Sequence, residues 1–531
     1  MTPDHRLLSS RARREDGFTL IELLVVIVIL GVLAAIVVFS VRGIGDKGRE
    51  NAVAADAAAL RTAEESYCAR HGHYGTVDDL KAGGLLADDP TYNMVMVGTE
   101  NKCGRGEKSS FSLYRTAPTE SAADAVPVGA NPTDLAVDEK ADRVYAVSSG
   151  DNSVTVIDGR TDTAIGKPID VSRAVTSPTR IAVDPGTGRV YVGGTGGVAI
   201  IDTAKANQVT PVGGFSTTVS GLAVSPENGD VYVGGGSISN SAVAYIAAGS
   251  STAKPITLPA TGLVSAVFGM DFSFDAARHA VYVAKSNLGT GESADATIGL
   301  FAISSQTHQA RIVWKFPTKS GCATNAGNFL VNNSVRGSAV VDPNRHLVYL
   351  LARRCAPDPA NPTGQWKGVA TTIVIDPSDG SSTAIDDPVG TLYAPISAVY
   401  NAAAGSVYVF SNGGAIAECG SIAGRISRIV GTTVTGQTSV CAASNASGNP
   451  AHKVAVLSNF NRVFVTQLKT ADTQDDTESP GGLGVADGTT LLRQAPLGRP
   501  REFAAVAVNN TTAKVYAVDM ANGTVEAYRT G

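Results

Sequence analysis

A single carboxylate lies near the start of a long apolar segment of this chain. Between Phe18 and Val41 the only ionisable side chain is that of Glu22. At about 1.5 Å per residue this segment forms a helix of about 36 Å, which is long enough to cross a bilayer. A carboxylate in lipid is costly unless it has a partner of opposite charge. We therefore expect a buried cation to neutralise Glu22, because a buried pair costs less than either charge alone.

The residues around the apolar segment indicate that it is retained in the mature protein. A secretory signal peptide has no acid at this place, and its small-residue cleavage site follows the apolar run. Here Gly17 precedes the run. A plain membrane anchor with a tolerated Glu22 is the alternative. A slight excess of basic residues before the segment favours a cytoplasmic N-terminus. They are Arg6, Arg11, Arg13 and Arg14 before the segment, and Arg42, Lys47 and Arg49 after it.

Gly17 is followed directly by Phe18-Thr19-Leu20-Ile21-Glu22. This motif resembles the class III leader of type IV pilins and type II secretion pseudopilins. The resemblance implies that residues 1–17 are a leader peptide and that a membrane prepilin peptidase cuts between Gly17 and Phe18. It also implies methylation of the new amino group of Phe18. Glu22 would then pair with the amino terminus of a neighbouring pilin subunit during filament assembly.

Residues 18–116 resemble a pilin module of the α+β class. Apolar residues recur at helical spacing up to about Arg70, which predicts one stem helix over residues 18–70. Residues 71–116 would form a small head, in which Leu80, Leu85 and Leu86 can pack back on the helix. Two short segments of this head, Tyr92–Val97 and Ser110–Arg115, are predicted to be strands of a small antiparallel sheet.

His71 and His73 lie close together in the sequence of this head. Two histidines can bind a metal ion, but the surrounding residues offer no obvious third ligand. We therefore favour a polar surface role for both.

The remainder of the chain repeats a dipeptide of valine and an aromatic residue. The aromatic positions lie 41 to 67 residues apart. The eight copies are Val144-Tyr145, Val190-Tyr191, Val231-Tyr232, Val281-Tyr282, Val348-Tyr349, Val407-Tyr408, Val463-Phe464 and Val515-Tyr516. In most copies an Asp, Asn or Ser stands six residues before the valine and follows a short apolar run. Each repeat therefore reads as a strand, a turn and a second strand.

Repeats of this length, built from short strands, are typical of β-propeller blades. Eight copies predict eight blades over residues 122–531, and a seven-bladed ring with one degenerate repeat is the alternative. The segments Val154–Asp158 and Gly188–Gly193 resemble the YVTN-type propeller repeats of bacterial surface proteins. The predicted fold is thus an α+β pilin module followed by an all-β propeller.

The ends of the repeat region suggest how the ring closes. The last repeat stops at Val525–Tyr528 after three strands, whereas Ala123–Val128, before the first repeat, resembles a stray fourth strand. We predict that this strand completes the last blade, which removes exposed sheet edges. The linker and closing strand would occupy residues 117–131, so the propeller should lie close to the head.

Six cysteines in an exported chain favour disulfides. Proximity in the sequence suggests three pairs: Cys68 with Cys103, Cys322 with Cys355, and Cys419 with Cys441. No two of them form a CxxC motif, so the sequence does not support a zinc or redox site.

The repeat region offers no convincing catalytic set, and we expect a protein that is not an enzyme and has no cofactor. Asp138, Asp184 and Asp342 recur because such turns favour Asp. The histidines of this region do not occupy equivalent places in the repeats, so we expect loop or surface roles for them. They are His279, His308, His346 and His452.

One acidic loop is a weak calcium candidate. Asp472, Asp475, Asp476 and Glu478 supply oxygen ligands at close spacing, but the central glycine of a calcium loop is missing, so a solvated loop is favoured. We therefore predict no metal site. The chain has 43 basic and 48 acidic residues, a net charge of -5 and no long basic run, so nucleic-acid binding is unsupported.

The size of the propeller limits the positions that the protein could take in a filament. About 400 residues give a propeller with a radius of gyration of about 21 Å, far wider than a helix about 10 Å across. If the stems are closely packed in a filament, there is too little space for each of them to bear such a propeller. We expect a minor or tip-located pilin that displays the propeller as an adhesive head for an unknown surface protein or glycan. It would be a single-pass protein of the bacterial cytoplasmic membrane before assembly and would then be exposed on a pilus.

Two alternatives belong to other classes: an envelope-tethered propeller enzyme, such as a lyase or lactonase, and a pseudopilin of a type II secretion system. For ligand contact, we expect the longest insertions in the repeats to matter first. They are Ser286–Ala296, Ala356–Gly368 and Lys469–Gly484.

Overall fold

A computed structural model of the chain describes most of the repeat region and parts of the N-terminal region. The described residues are 55–56, 58–75, 77–88, 90, 93–97, 103, 111–115, 125–237, 240–259, 271–286, 297–317, 329–330, 339–357, 366–386, 394–412, 424–440, 453–467, 482–488, 491, 493–497 and 503–529. Within these ranges, no helix is both long enough and apolar enough to cross a membrane. The apolar segment that the sequence places at residues 18–41 lies outside them.

Two helices precede the sheets. Helix α1 covers residues 58–71, and α2 covers Val77–Ala82. Leu60 and Ala63 of α1 are buried against Leu80 of α2, and Leu85 packs against the same cluster. This confirms that Leu80 folds back on the helix.

A β-hairpin follows the helices and joins the propeller. Strands β1 (Asn93–Val97) and β2 (Phe111–Arg115) are antiparallel, close to the predicted bounds. The sheet is not confined to the head, because Arg115 forms a parallel bridge with Gln494 of the propeller. Head and propeller therefore share one six-stranded sheet.

The repeats form eight antiparallel sheets, each built from strands that we name A to D in their order within the blade. The short strand β3 (Val126–Pro127) comes first in the chain. Blade 1 contains β4 (Pro132–Asp138), β5 (Arg143–Ser148), β6 (Ser153–Asp158), β7 (Thr163–Ala164) and β8 (Ile169–Asp170), the last two both pairing with β6. Blade 2 contains β9 (Thr176–Asp184), β10 (Arg189–Thr195), β11 (Gly197–Asp202) and β12 (Gln208–Pro211).

Blades 3 to 5 continue the pattern. Blade 3 contains β13 (Val219–Val224), β14 (Val231–Ser237), β15 (Asn240–Ile246) and β16 (Ala253–Pro255). Blade 4 contains β17 (Phe272–Asp275), β18 (Ala280–Ser286), β19 (Thr297–Ser304) and β20 (Ala310–Pro317). Blade 5 contains β21 (Phe329–Leu330), β22 (Ala339–Asp342), β23 (Leu347–Pro357), β24 (Trp366–Ile375) and β25 (Ser382–Asp386), with β21 and β22 both pairing with β23.

Blades 6 to 8 complete the ring. Blade 6 contains β26 (Ala394–Asn401), β27 (Ser406–Asn412), β28 (Gly424–Val430) and β29 (Thr433–Val440). Blade 7 contains β30 (Val454–Leu457), β31 (Arg462–Gln467), β32 (Gly482–Asp487) and β33 (Arg493–Leu497). Blade 8 contains β34 (Phe503–Asn509), β35 (Lys514–Asp519), β36 (Thr524–Arg529) and β3. Short 3₁₀ turns cover Thr203–Lys205, Ala276–Arg278 and Ser458–Phe460.

The A strands lie next to one another around the ring. Each contacts the A strand of the following blade, and β34 of blade 8 contacts β4 of blade 1. The eight-bladed propeller is therefore closed, which confirms the prediction of eight blades over the seven-bladed alternative.

The aromatic residue of each repeat fills the interface with the following blade. Tyr145, for example, packs with Ile181 and Val190 of blade 2, and Tyr516 of blade 8 packs with Leu135 and Val144 of blade 1. The repeat aromatics are all at most 1% exposed: Tyr145, Tyr191, Tyr232, Tyr282, Tyr349, Tyr408, Phe464 and Tyr516. Each blade thus depends on its neighbour for burial, as expected of a repeat that has no core of its own.

The strand before the first repeat closes the ring. In β3, Val126 pairs with Val525 and Pro127 with Thr524 of β36. The N–H of Val128 donates to the carbonyl of Gly523 at 2.8 Å. Proline is tolerated here because β3 is the outermost strand of its sheet. The predicted fourth strand of the last blade is thereby confirmed.

A buried ion pair reinforces the same closure. Lys514 of β35 lies against both carboxylate oxygens of Asp162 in blade 1, at 2.8 Å, and also donates to the carbonyl of Gly159. The two charged side chains are only 5% and 4% exposed. Their attraction therefore acts in a medium of low dielectric constant.

Replacing Lys514 with Met should lower the free energy of unfolding by about 3 kcal/mol or more, because it removes the ammonium from a buried carboxylate. Urea denaturation of the full chain in detergent, followed by circular dichroism, measures this change. Arg160→Ala is the matched control, since Arg160 is 79% exposed in its pair with Asp158 and should matter little. Equal losses in both variants would contradict the role of Lys514 in closure.

Candidate functional site: the loop face of the propeller

The two faces of the propeller carry different kinds of connection. Because consecutive strands of a blade are antiparallel, the A–B and C–D connections leave from one face. We name it the turn face. The B–C connections and those from strand D to the next blade leave from the opposite face, which we name the loop face.

Within the blades, the turn face has only short connections, although β3, which follows the head in the chain, also begins at this face. Its longest ones are 225–230, 247–252 and 376–381. The Asp or Asn that the repeats share begins the A–B turn and accepts backbone hydrogen bonds within it. In blade 1, Asp138 Oδ1 accepts the N–H groups of Lys140 and Ala141, both at 3.0 Å. The recurring aspartates therefore have the turn role that the sequence predicts. Blade 7 differs, because Leu457 precedes its turn and makes no side-chain hydrogen bond there.

A second position of the A–B turn is left-handed in every blade. It stands two residues before the valine of the repeat, and its φ angle lies between 48° and 74°. The residues at this position are Asp142, Gly188, Gly229, His279, His346, Gly405, Asn461 and Ala513. Glycine adopts this conformation without strain, and Asn and Asp tolerate it better than most residues.

Side chains at this left-handed position connect neighbouring blades. Asn509 of blade 8 donates to Asp142 of blade 1 at 2.8 Å, and Asn401 of blade 6 donates to Asn461 of blade 7 at 2.7 Å. In both cases the first residue of one turn reaches the left-handed residue of the next blade. The turn face is thus held together by bonds between blades.

The histidines belong to the same system, which corrects the sequence analysis. His346 Nδ1 lies 2.8 Å from the carboxylate of Asp275, the turn residue of the preceding blade. His279 occupies the equivalent position and hydrogen-bonds Glu227. The expectation that the histidines stand at non-equivalent places is therefore wrong for these two. Their common distance from the valines of the repeat was the signal that would have shown it.

The contact between blades 3 and 4 contains two further polar pairs. Glu227 also accepts the hydroxyl of Ser305 at 2.7 Å, and this hydrogen bond is the main reason why the pKa of Glu227 lies below its ordinary value. His308 Nε2 lies 2.9 Å from Asp230, and its ring stacks on Tyr245 with centroids 3.4 Å apart. Sequence reasoning missed these pairs because each joins residues about 80 positions apart.

Tyrosine hydroxyls add a second set of bonds near the turn face. The hydroxyl of Tyr349 donates to the carbonyl of Gly431 in the next blade at 2.8 Å. Tyr408 donates in the same way to the carbonyl of Gly488. These carbonyls belong to C–D turns, so the aromatic residue of the repeat both fills the interface between blades and fastens the following turn.

Every long connection within or between blades 1 to 8 leaves from the loop face. The long B–C connections are 287–296, 358–365, 413–423 and 468–481. The long connections between the D strand of one blade and the A strand of the next are 256–271, 318–338, which includes the short strand β21, and 441–453. Most of their residues lie outside the described ranges, but the strand ends that bear them are described and all meet at this face.

The three insertions that the sequence marks for ligand contact are therefore on one side. Ser286–Ala296, Ala356–Gly368 and Lys469–Gly484 each join a B strand to a C strand, in blades 4, 5 and 7. The fold thus brings their anchoring ends to the loop face, next to connections that the sequence analysis did not single out.

Charged residues lie where the A strands begin, on the loop-face side of the central channel. Lys453 precedes β30 of blade 7 and binds Asp134 of β4, across blade 8. The residue of blade 8 at the equivalent position is Ala505, which is buried. Its small side chain leaves space for Lys453 to reach Asp134. Arg180, at the matching position of blade 2, donates to the carbonyl of Ser220 at 3.0 Å.

A small crevice of about 20 Å³, room for little more than a water molecule, lies between blades 5 and 6. Thr371 donates to Asp386 at 2.9 Å inside it, and Gln437 donates to Ser427 at 3.0 Å.

In the N-terminal region, the structure contains the predicted Cys68–Cys103 disulfide, with Cα atoms 5.8 Å apart. His71 and His73 both contact the ring of Tyr67, at centroid distances of 4.2 Å and 5.6 Å. Among the described residues, no group of His, Cys, Asp or Glu is arranged to hold a metal ion.

Several predicted site residues lie outside the described ranges, so their roles stay predictions. These are Gly17, Phe18 and Glu22 of the processing and assembly motif, Cys322, Cys419 and Cys441, and the weak calcium candidates Asp472, Asp475, Asp476 and Glu478. Cys355 lies in β23, but its side chain is not described.

Comparison with known proteins supports the N-terminal motif. Residues 12–38 match the family model of the prokaryotic N-terminal methylation motif. The type II secretion system core protein G of Aeromonas hydrophila is 41% identical over 66 residues, which are 12% of this chain and 46% of that protein. The protein of the same name from Dickeya chrysanthemi is 39% identical over 79 residues, or 15% of this chain and 50% of that protein. The chain thus spans about half the length of these curated relatives.

Among solved structures, the Dos1 propeller is similar with a TM-score of 0.50 and 10% identity, over 77% of this chain and 95% of that one. This likeness shows the fold alone. Together the comparisons and the fold define an eight-bladed β-propeller in a chain that begins with an N-terminal methylation motif. The resemblance to pilins and pseudopilins is thereby confirmed for the N-terminal segment.

Proposed function

We propose that this chain is a minor or tip-located pilin-like subunit that displays its propeller as a binding head for a surface protein or glycan. The observation that carries the proposal is the asymmetry of the two faces. Every long connection within or between the blades leaves from the loop face, whereas the turns of the turn face are joined by hydrogen bonds between blades. Binding residues are commonly borne on loops that a rigid scaffold positions.

The methylation motif supports the other half of the proposal. In this account prepilin peptidase removes residues 1–17, and the stem helix holds the protein in the cytoplasmic membrane until it assembles with other pilin subunits. Glu22 then pairs with the amino terminus of a neighbouring subunit, because an unpaired carboxylate is costly in an apolar filament core. The assembled protein is exposed at the cell surface.

The bridge between head and propeller supports a sparse or terminal position. Because Arg115 joins the sheet of blade 7, the propeller lies against the head rather than at the end of a long tether. A body with a radius of gyration of about 21 Å, held this close to a stem about 10 Å wide, would obstruct neighbouring subunits.

The second candidate is a pseudopilin of a secretion machine. It is favoured by the identity with type II secretion system core protein G at the N-terminus. Deletion of the gene distinguishes the two, since a pseudopilin is required for release of exoproteins whereas an adhesive pilin is required for attachment.

In this function the propeller is not an enzyme and has no cofactor. Its recurring acids are engaged in structure: Asp138 and Asp342 accept hydrogen bonds within their turns, and Asp275 is bonded to His346. Groups held in this way are poorly placed to exchange protons with a substrate.

Immunogold labelling of the propeller on intact fibres tests the position of the subunit. We expect gold at fibre ends or at sparse points, and we expect Glu22→Ala to abolish incorporation while the protein still reaches the membrane. Glu15→Ala, in the segment removed by processing, is the matched control and should incorporate normally. Dense labelling along the shaft, or normal incorporation of Glu22→Ala, would exclude this function.

Replacement of the loop-face connection 468–481 by a short Gly-Ser turn tests the binding face. On arrays of immobilised glycans and extracellular proteins, the full chain in detergent should bind at least one ligand, and the replacement should reduce that binding about tenfold or more, as expected when an interface loses central contacts. The control is Lys140→Ala with Arg160→Ala on the turn face, which should bind normally. Loss of binding in the control alone would place the ligand on the other face.

A further inference from the structure

Glu64 is a buried carboxylate in the head that none of the roles above explains. It lies on α1 and is 0% exposed. The buried cluster formed by the same part of α1 and by α2 is apolar and contains Leu60, Ala63 and Leu80. Carboxylates are almost never fully buried without a partner of opposite charge, so this position calls for a physical reason.

The carboxyl group of Glu64 holds the loop between the two helices. One oxygen, Oε2, accepts the N–H of Gly75 at 3.1 Å. The other, Oε1, has no hydrogen-bond partner among the described residues. Gly75 lies so close to α1 and α2 that a Cβ there would be 3.0 Å from Asp79 and from the ring of Tyr67. This contact thus connects α1 to the residues that lead into α2.

The charged groups acting on Glu64 disfavour its ionised form. Asp79 approaches from α2 and Glu65 from α1, both with negative charge. His71, at the end of α1, and His73, in the following loop, contact Tyr67. The pKa of Glu64 is raised from 4.5 to about 7, mainly because the carboxyl group is buried. The two carboxylates raise it further, whereas the hydrogen bond from Gly75 lowers it.

We propose that Glu64 is a pH-dependent latch, which fastens α2 and the preceding loop to α1 while its carboxyl group is protonated and loosens them when it ionises. The geometry supports the direction. An ionised carboxylate with one unpaired oxygen is costly in an apolar core, and the head can lower this cost only by opening to water. Opening would separate α2 from α1, because the two helices form the walls of this core.

The sign of the pH dependence follows from the raised pKa. Below pH 4.5 the carboxyl group is protonated in both the closed and the open head, so it causes no difference. Between pH 4.5 and about 7 the closed head keeps a proton that the open head loses, and closure weakens as the pH rises. Above about pH 7 the full effect is reached.

Hydrogen exchange of the full chain in detergent, measured by mass spectrometry from pH 5 to pH 8.5, tests the latch. After correction for intrinsic exchange rates, amides of residues 72–86 should lose protection on the order of 100-fold as the pH rises. Peptides from blade 2 serve as the internal reference and should not change. Glu64→Gln should abolish the dependence, since its amide keeps the contact with Gly75 but does not titrate.

Glu65→Gln is the matched control, because Glu65 is exposed and adjacent on the same helix. It should retain the transition, with a midpoint moved only to slightly lower pH, because Glu65 is the smallest of the causes that raise the pKa of Glu64. Asp79→Asn removes a like charge and should move the midpoint to lower pH, which gives a second test should Glu64→Gln fail to fold. A wild-type head with no pH dependence, or a Glu64→Gln head with the wild-type dependence, would overturn the proposal.

Discussion

The packing of one aromatic side chain per repeat against the next blade is the constraint on which the propeller depends. None of the eight sheets has a core of its own, because the buried clusters lie between blades. Such an arrangement is stable only if the last blade meets the first. The strand β3 satisfies this condition by completing blade 8, so the segment that leads out of the head is also part of the ring.

This closure has a consequence for the arrangement of the whole chain. The head reaches the propeller at two places, through β3 in blade 8 and through the bridge from Arg115 to blade 7. The propeller is therefore attached to the head through two adjacent blades. One face is closed by bonds such as that from Asn509 to Asp142, and the other bears the long connections. The long connections between strands of the blades therefore project from one side of a propeller that is joined to the head.

The sequence predicts the periodic features of this fold and misses the ones that are not periodic. The dipeptides such as Val144-Tyr145 and the turn residues such as Asp138 recur, so they indicate eight blades and their turns. The bonds between blades do not recur by residue type, because Asp142, His346 and Asn461 serve at the same position with different chemistry. The pair formed by Lys453 and Asp134 joins residues 319 positions apart, and no local pattern marks it. The burial of Glu64 is equally hidden, since exposed Glu65 stands beside it on the same helix.

Disulfide trapping at the junction between β3 and β36 tests the closure most directly. Val126 and Val525 are opposite each other in this antiparallel pair. In a chain with both residues changed to Cys, peptide mapping under oxidising conditions should find residue 126 joined to residue 525 within one molecule, whereas Val126→Cys alone should keep a free thiol. A closed ring completed by the N-terminal strand predicts nearly complete trapping. Recovery of residue 126 as a free thiol in the double variant, or joined to a second molecule, would contradict it.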